Sequence, residues 1–199
     1  SRDHTERMLR ARGVALKSQG LRHTLTGPVA RLAPLDTRVP GDFSSAAYLL
    51  VGALLVPGSE VLVHNVGVNP TRTGLLDVLR SMGANIALVD QRDQGGEPVA
   101  DLLVRSQELG TIQVGGHVVP RMIDEFPILA LAATQAHGVT QVRDAAELRV
   151  KETDRIASIV EALRAMGAHI EGRPDGFEVE GPSRLHGAMV DCHRDHRMA

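Results

Sequence analysis

Two stretches of the chain are apolar at nearly every position, too densely for an amphipathic surface helix. One runs from Asp42-Phe43-Ser44-Ser45 to Leu55, and the other from Asp124-Glu125-Phe126-Pro127 to Ala136. Each reads as a helix buried on most sides, opened by an aspartate, a residue that favours helix N-caps. Each is followed by a glycine and a short β-branched run, Val61-Leu62-Val63 in the first case and Val139-Thr140-Gln141-Val142 in the second, which read as strands.

A different pattern follows both. Leu79-Arg80-Ser81-Met82-Gly83-Ala84-Asn85-Ile86 recurs as Leu163-Arg164-Ala165-Met166-Gly167-Ala168-His169-Ile170, with a weaker copy at Leu9-Arg10-Ala11-Arg12-Gly13-Val14. Ile156, Ile159, Val160, Leu163 and Met166 fall on one helical face, and glycine suits the residue just past a helix end. Strand pairs are expected at Ile86–Val89 with Leu102–Val104, and at Ile170 with Phe177–Val179 across an Asp175-Gly176 turn. The chain therefore carries a repeat of roughly eighty residues. Its unit is buried helix, strand, amphipathic helix and two strands, complete twice between Asp42 and about Val190. Asp195-His196-Arg197-Met198-Ala199 reads as the opening of a third buried helix. A chain that starts and stops within helices is expected to be part of something larger. A boundary is expected near Pro34–Pro40, and Gln91–Val99, with Gly95-Gly96 and Pro98, reads as a flexible loop.

Composition narrows the function classes. Hydrophobic residues make up 43% of 199, enough for a packed core, while aromatics are 2%, so that core is aliphatic. Scarce aromatics and a net charge of −2 argue against nucleic-acid binding, which needs stacking platforms or bulk positive charge. No apolar run approaches the ~20 residues that span a bilayer, so no membrane partner is expected. The single cysteine, Cys192, excludes an internal disulfide and fits a reducing, cytoplasmic setting.

Candidate chemistry concentrates in Glu147-Leu148-Arg149-Val150-Lys151-Glu152-Thr153-Asp154-Arg155. A helical start there would project Lys151, Glu152 and Arg155 to one side. Aligning the two units on Met82 and Met166 sets these three against Gly67, Val68 and Thr71. The sister unit builds the same element without the charges, which favours function over a solvated helix start. Asp124 has two readings, N-cap by analogy with Asp42 or general base beside cations, and sequence alone does not separate them. The tail Asp191-Cys192-His193-Arg194-Asp195-His196-Arg197 has no metal-ligand spacing, and its arginines fit an anion better. No glycine-rich phosphate loop is present, so no nucleotide cofactor is expected.

Arg149-Val150-Lys151-Glu152-Thr153-Asp154-Arg155 and Asp195-His196-Arg197-Met198-Ala199 resemble signatures of the 5-enolpyruvylshikimate-3-phosphate synthase family. Ser1-Arg2-Asp3-His4-Thr5, Gly41-Asp42-Phe43-Ser44-Ser45-Ala46, Asn69-Pro70-Thr71-Arg72 and Asp124-Glu125-Phe126-Pro127 extend the likeness, in family order. The resemblance implies an α/β fold of repeated βαβαββ units (an inside-out α/β barrel) in two lobes. Residues 1–38 would end the first lobe, and 39–199 would form most of the second: two units and the start of a third. It implies transfer of the enolpyruvyl group of phosphoenolpyruvate to the 5-hydroxyl of shikimate 3-phosphate, through a tetrahedral intermediate, with no cofactor and no metal. Asp124 would accept the hydroxyl proton, and Glu152 would protonate the methylene carbon. Lys151 would sit near the shikimate hydroxyl, Arg155 and Arg197 would hold phosphoenolpyruvate, and Ser1 would contact the shikimate phosphate. His196 and Glu147 lie beside these positions. The family's Lys-Ser-Arg region, its middle arginine, its Ser-Ser-Gln run and its late lysine are not found, so a missing first lobe is expected to complete the site. Two other readings stay open, a transferase acting on a nucleotide sugar and a truncated, non-catalytic module.

Overall fold

The structure, a computed structural model, describes residues 2–198. It opens with helix α1 (His4–Ala11) and a hairpin of β1 (Leu16–Gln19) and β2 (Arg22–Leu25), followed by an irregular stretch up to Pro40. The first repeat unit is α2 (Phe43–Leu55), β3 (Glu60–Gly67), α3 (Gly74–Ser81), β4 (Asn85–Gln94) and β5 (Glu97–Arg105). Its sheet has the order β3-β5-β4, with both pairs antiparallel. The second unit is β6 (Gln113–Val114), α4 (Phe126–Ala133), β7 (Gly138–Val142), α5 (Arg155–Ala165), β8 (His169–Arg173) and β9 (Gly176–Gly181). Its sheet runs β6-β7-β9-β8, parallel only at β6-β7. The second unit is thus a full βαβαββ. In the first, the leading strand shrinks to one parallel bridge from Gly41 to Val66.

The two nearly all-apolar helices do what their composition requires. α2 buries Phe43, Ala46, Ala47, Leu50, Val51 and Leu54, α4 buries Phe126, Leu129, Ala130, Ala132 and Ala133, and the two pack against each other. α3 and α5 are one-sided: Leu75, Leu79, Ile156 and Ile159 face the core, while Arg80 and Glu161 face solvent. The glycines after α1, α3 and α5, namely Gly13, Gly83 and Gly167, have φ of 82°, 94° and 93°, the left-handed closure that their sequence context implies. The predicted strand pairs form, with Ile86 opposite Val104, Leu88 opposite Leu102 and Ile170 opposite Val179.

Three expectations are corrected. Gln91–Val99 is not a loop. β4 and β5 pair as far as Gln94 and Glu97, and Gly95 (φ 66°) and Gly96 (φ 91°) form a two-residue turn that only left-handed residues fit easily. The residues after Asp195 form turns rather than a helix, preceded by His193 and Arg194 at positive φ. Asp124 does not cap α4, because that position is held by Glu125, whose side chain makes no capping bond. Asp42, by contrast, accepts from the Ser45 N–H at 2.8 Å and does cap α2.

Candidate active site

Arg155 is the centre of the charged cluster. It is the first residue of α5, whose N-cap is Asp154, accepting from the Ala157 N–H. Its exposure is 1%, so every guanidinium charge contact is made inside the protein. Nε donates to Asp195 Oδ2 at 2.8 Å and Nη2 to Asp195 Oδ1 at 3.3 Å, a two-pronged pairing. Nη1 donates to Asp124 Oδ1 at 3.2 Å, and Nη2 also reaches Glu152 Oε2 at 2.7 Å. Burial works against the Arg155 charge, yet the bonds from Asp195 and Asp124 outweigh it and hold the group above its ordinary value.

Asp195 is fully buried. Burial alone would raise its carboxyl, but the Arg155 bonds and the Arg197 N–H, at 2.9 Å, hold it below the usual range. Its Oδ2 also accepts from Thr153 Oγ1 at 3.3 Å. Arg197 lies on the far side of Asp124, with Nη2 3.7 Å from Asp124 Oδ2. Its carbonyl accepts from Tyr48 on α2, at 2.9 Å. Its Nε is buried without a hydrogen-bond partner. Asp124 therefore stands between two guanidinium groups supplied by distant segments, and no backbone N–H bonds its carboxylate among the described residues. The cap reading of Asp124 is excluded, and the reading as a base beside cations is the one with matching geometry.

The cluster does not gather every predicted residue. Lys151 and Glu152 precede α5 instead of lying on it, so the helical register expected to align them with Arg155 does not exist. A short 3-10 turn, Ala146–Val150, ends at Lys151, which forms an ion pair with Glu147 instead of with the cluster. Glu152 still reaches Arg155, from the irregular segment before the helix, and its carboxylate is half exposed. His196 is largely exposed and lies 3.9 Å from Asp195 without a hydrogen bond. Ser1 lies outside the described residues. Among the described residues, no three His, Cys, Asp or Glu side chains are grouped as a metal would need. Among the described residues, no helix is long and apolar enough to cross a membrane.

Other residues join the site without having been picked out from the sequence. Arg72, from the turn before α3, donates through Nη2 to Asp42 Oδ1 at 3.1 Å and to Ser44 Oγ at 3.0 Å. The Ser44 hydroxyl donates in turn to Glu125 Oε1. Asp42 is held below its usual range, because its bonds from Ser45 and the nearby Arg72 outweigh its burial. Arg2 donates to the Thr71 and Pro120 carbonyls, and its charge is disfavoured by burial and by Arg72, partly offset by Glu125 and Asp124. A cavity of about 300 Å³ opens beside Asp42 and Arg72, lined also by His4, Asn69 and Glu97. The arrangement offers two accessible carboxylates, Asp124 and Glu152, around a buried cation, with Arg72 and Arg197 at its edge. That suits proton transfer to and from a bound anion.

The chain is similar to known proteins in sequence and in fold. The family model described as EPSP synthase (3-phosphoshikimate 1-carboxyvinyltransferase) matches residues 1–199. The chain is 56% identical to a 3-phosphoshikimate 1-carboxyvinyltransferase of Geobacter sulfurreducens and 55% identical to that of Gloeobacter violaceus, in each case over all of this chain and 46% of the relative. It superimposes on an EPSP synthase structure from Acinetobacter baumannii with a TM-score of 0.95 and 42% identity, covering all of this chain and 46% of that one. The enolpyruvyl transferase NikO from Streptomyces tendae, with 18% identity and a TM-score of 0.65, shares the fold. The chain thus spans about half the length of the curated relatives it matches. With its full length matched by the family model, and with the enolpyruvyl transferase fold shared with solved relatives, this chain belongs to the EPSP synthase family.

Proposed function

We propose that this chain supplies one wall of a site that transfers the enolpyruvyl group of phosphoenolpyruvate to the 5-hydroxyl of shikimate 3-phosphate. The observation that carries the proposal is the convergence of Asp124, Glu152, Arg155 and Arg197, drawn from three separate stretches of chain, on one partly open cluster. The family relationship supports the substrates. In this reading, Asp124 takes the proton of the attacking hydroxyl as its oxygen bonds to C2 of phosphoenolpyruvate. Glu152 delivers a proton to the methylene carbon, giving a tetrahedral adduct. Loss of phosphate and of one methyl proton then restores the enol ether. Arg197 and Arg155 would hold the enol donor, Lys151 would serve near the acceptor hydroxyl and Ser1 would contact the acceptor phosphate, with His196 a neighbouring candidate.

The rest of the proposal concerns what completes the site. The remaining cations needed to bring two multiply charged anions together would come from the part of the relatives' length that this chain does not span. In the same reading, residues 1–38 close a first lobe and 39–199 belong to a second, a division supported by the irregular stretch up to Pro40. The work would be done in the cytoplasm.

The test is phosphate release from phosphoenolpyruvate and shikimate 3-phosphate, by this chain alone and by the chain joined to a complementing first lobe. The expected result is no turnover alone and turnover when complemented, lost in Asp124→Asn. Turnover by the isolated chain would refute the shared-site proposal. A complemented enzyme that prefers a nucleotide-sugar acceptor would refute the substrate assignment.

A further inference from the structure

Besides Asp195, which is paired with Arg155, the mechanism above leaves a buried acid unused. Glu125 directly follows Asp124, and its exposure is 1%. Its Oε1 accepts from the Ser44 hydroxyl on α2, and its Oε2 is buried with no hydrogen-bond partner. Ser44 is in turn held by Arg72, which also grips Asp42, the cap of α2. A continuous polar chain, Asp42–Arg72–Ser44–Glu125, therefore crosses from the mouth of α2 to the mouth of α4, through surroundings that are otherwise apolar. A purely architectural contact between these helices would be apolar, as the rest of it is. A buried carboxyl with one oxygen unpaired is costly, so its presence at the residue adjoining Asp124 calls for a reason.

We propose that Glu125 is a positioning residue: through Ser44 and Arg72 it fixes the turn that presents the Asp124 carboxylate to Arg155 and Arg197. Among the described residues, the other side-chain hydrogen bond at Asp124-Glu125 is that of Asp124 with Arg155 itself, Asp124 makes no capping bond, and the peptide N–H of Glu125 donates to the Met122 carbonyl, at 3.0 Å. Rotation of that peptide would carry Asp124 away from Arg155 Nη1, whose 3.2 Å contact leaves little slack. The surroundings of Glu125 favour its neutral form. Burial pushes it above its ordinary value and Asp124 adds to that, against the Ser44 hydrogen bond and the charges of Arg72 and Arg197. Arg2 and Tyr48 are the other titratable groups that face it, from the N-terminal segment and from α2. A neutral Glu125 places no second negative charge beside Asp124, whereas an ionised one would repel the carboxylate it holds in place.

The catalytic meaning of this role rests on the enolpyruvyl-transfer reading, but the placement of Asp124 does not, and the experiment separates the two. Carboxyl carbon NMR on the chain, isotopically labelled at aspartate and glutamate, follows Asp124 in wild type, Glu125→Gln, Glu125→Ala and Ser44→Ala. Glu125→Gln keeps a neutral group that accepts from Ser44, so its Asp124 carboxyl resonance at fixed neutral pH should coincide with that of wild type. Glu125→Ala and Ser44→Ala should displace that resonance, as the carboxylate drifts from Arg155. Ser44→Ala removes the same link with a smaller change of volume and decides the question if Glu125→Ala fails to fold. In the complemented enzyme, Ser44→Ala should lower kcat by about tenfold to a hundredfold at little change in KM, as for a misplaced reacting group. An Asp124 carboxyl resonance unmoved in Ser44→Ala, or moved as much in Glu125→Gln as in Glu125→Ala, would overturn the proposal. Absence of turnover in complemented wild type would overturn only the transfer reading.

Discussion

Replacing Asp195 by alanine tests whether the Arg155 cluster is the tightly coupled unit its geometry describes. The substitution removes the two-pronged partner of a guanidinium that is 1% exposed, and with it the acceptors for the Arg197 N–H and the Thr153 hydroxyl. Removing one member of a buried pair costs about 3–5 kcal/mol, because the other charge stays buried without its counterion. Asp124 and Glu152 remain on Arg155, so the lower end applies, about 3 kcal/mol. That is a large share of the ~5–15 kcal/mol that holds a domain folded. With a urea slope of about 2 kcal/mol per molar, the midpoint should fall by about 1.5 M. Urea unfolding followed by far-UV circular dichroism reads this directly. Arg155→Met combined with Asp195→Leu should recover much of the loss, since an apolar pair carries no desolvation cost. The sign with pH is also fixed. The Asp195 carboxyl is depressed in the folded state from 3.8, so its contribution is present above that value and fades as pH falls through the folded one. Asp195→Ala costing under about 1 kcal/mol at neutral pH, or a double variant no better than the single, would refute the coupling.

Other outcomes follow from single contacts. Asp42→Ala should lower stability by about 1 kcal/mol through the lost α2 cap, whereas Asp124→Ala should leave the helical signal of α4 intact, as helix-resolved hydrogen exchange would show. Gly176→Ala should destabilise by about 3 kcal/mol or more or prevent folding, because a Cβ there would lie 1.9 Å from the Val142 carbonyl oxygen; thermal unfolding would measure it. Glu125→Gln should be more stable than wild type at neutral pH in paired urea titrations. The raised Glu125 carboxyl favours folding only while protonated, so wild type loses stability as pH rises from the unfolded value of 4.5 through the folded one, and glutamine does not.

Much of the architecture was legible because it is written in hydrophobic period. The two nearly all-apolar helices, the one-sided helices and the closing glycines all report local requirements, and the paired strands followed from them. The errors arose where a local signal had two outlets. Gly95-Gly96 between polar residues marks either a loop or a tight turn, and the pairing of Gln94 with Glu97 decided for the turn. Asp195 carried the same local signal as Asp42, but its carboxylate is spent on Arg155, a contact between residues forty positions apart in sequence. The helical register drawn through Lys151 failed because Asp154, the stronger cap, starts α5 later. Glu152 and Arg155 stood out against the sister unit, and Asp124 and Arg197 chiefly through family strings. Ser44, Arg72 and Glu125 lie in such strings too, but no period singled them out, since a polar chain between two helices obeys none.

Asp42 and Asp124 each open a buried helix of the repeated frame, yet only the first is bound to its own helix. The difference is one residue: Asp42 stands directly before Phe43, whereas Glu125 intervenes between Asp124 and Phe126 and takes the cap position. An acid set one step outside the threshold is released from masonry. That single step turns the Asp124 carboxylate towards the buried guanidinium of a neighbouring helix, while its twin keeps the wall standing.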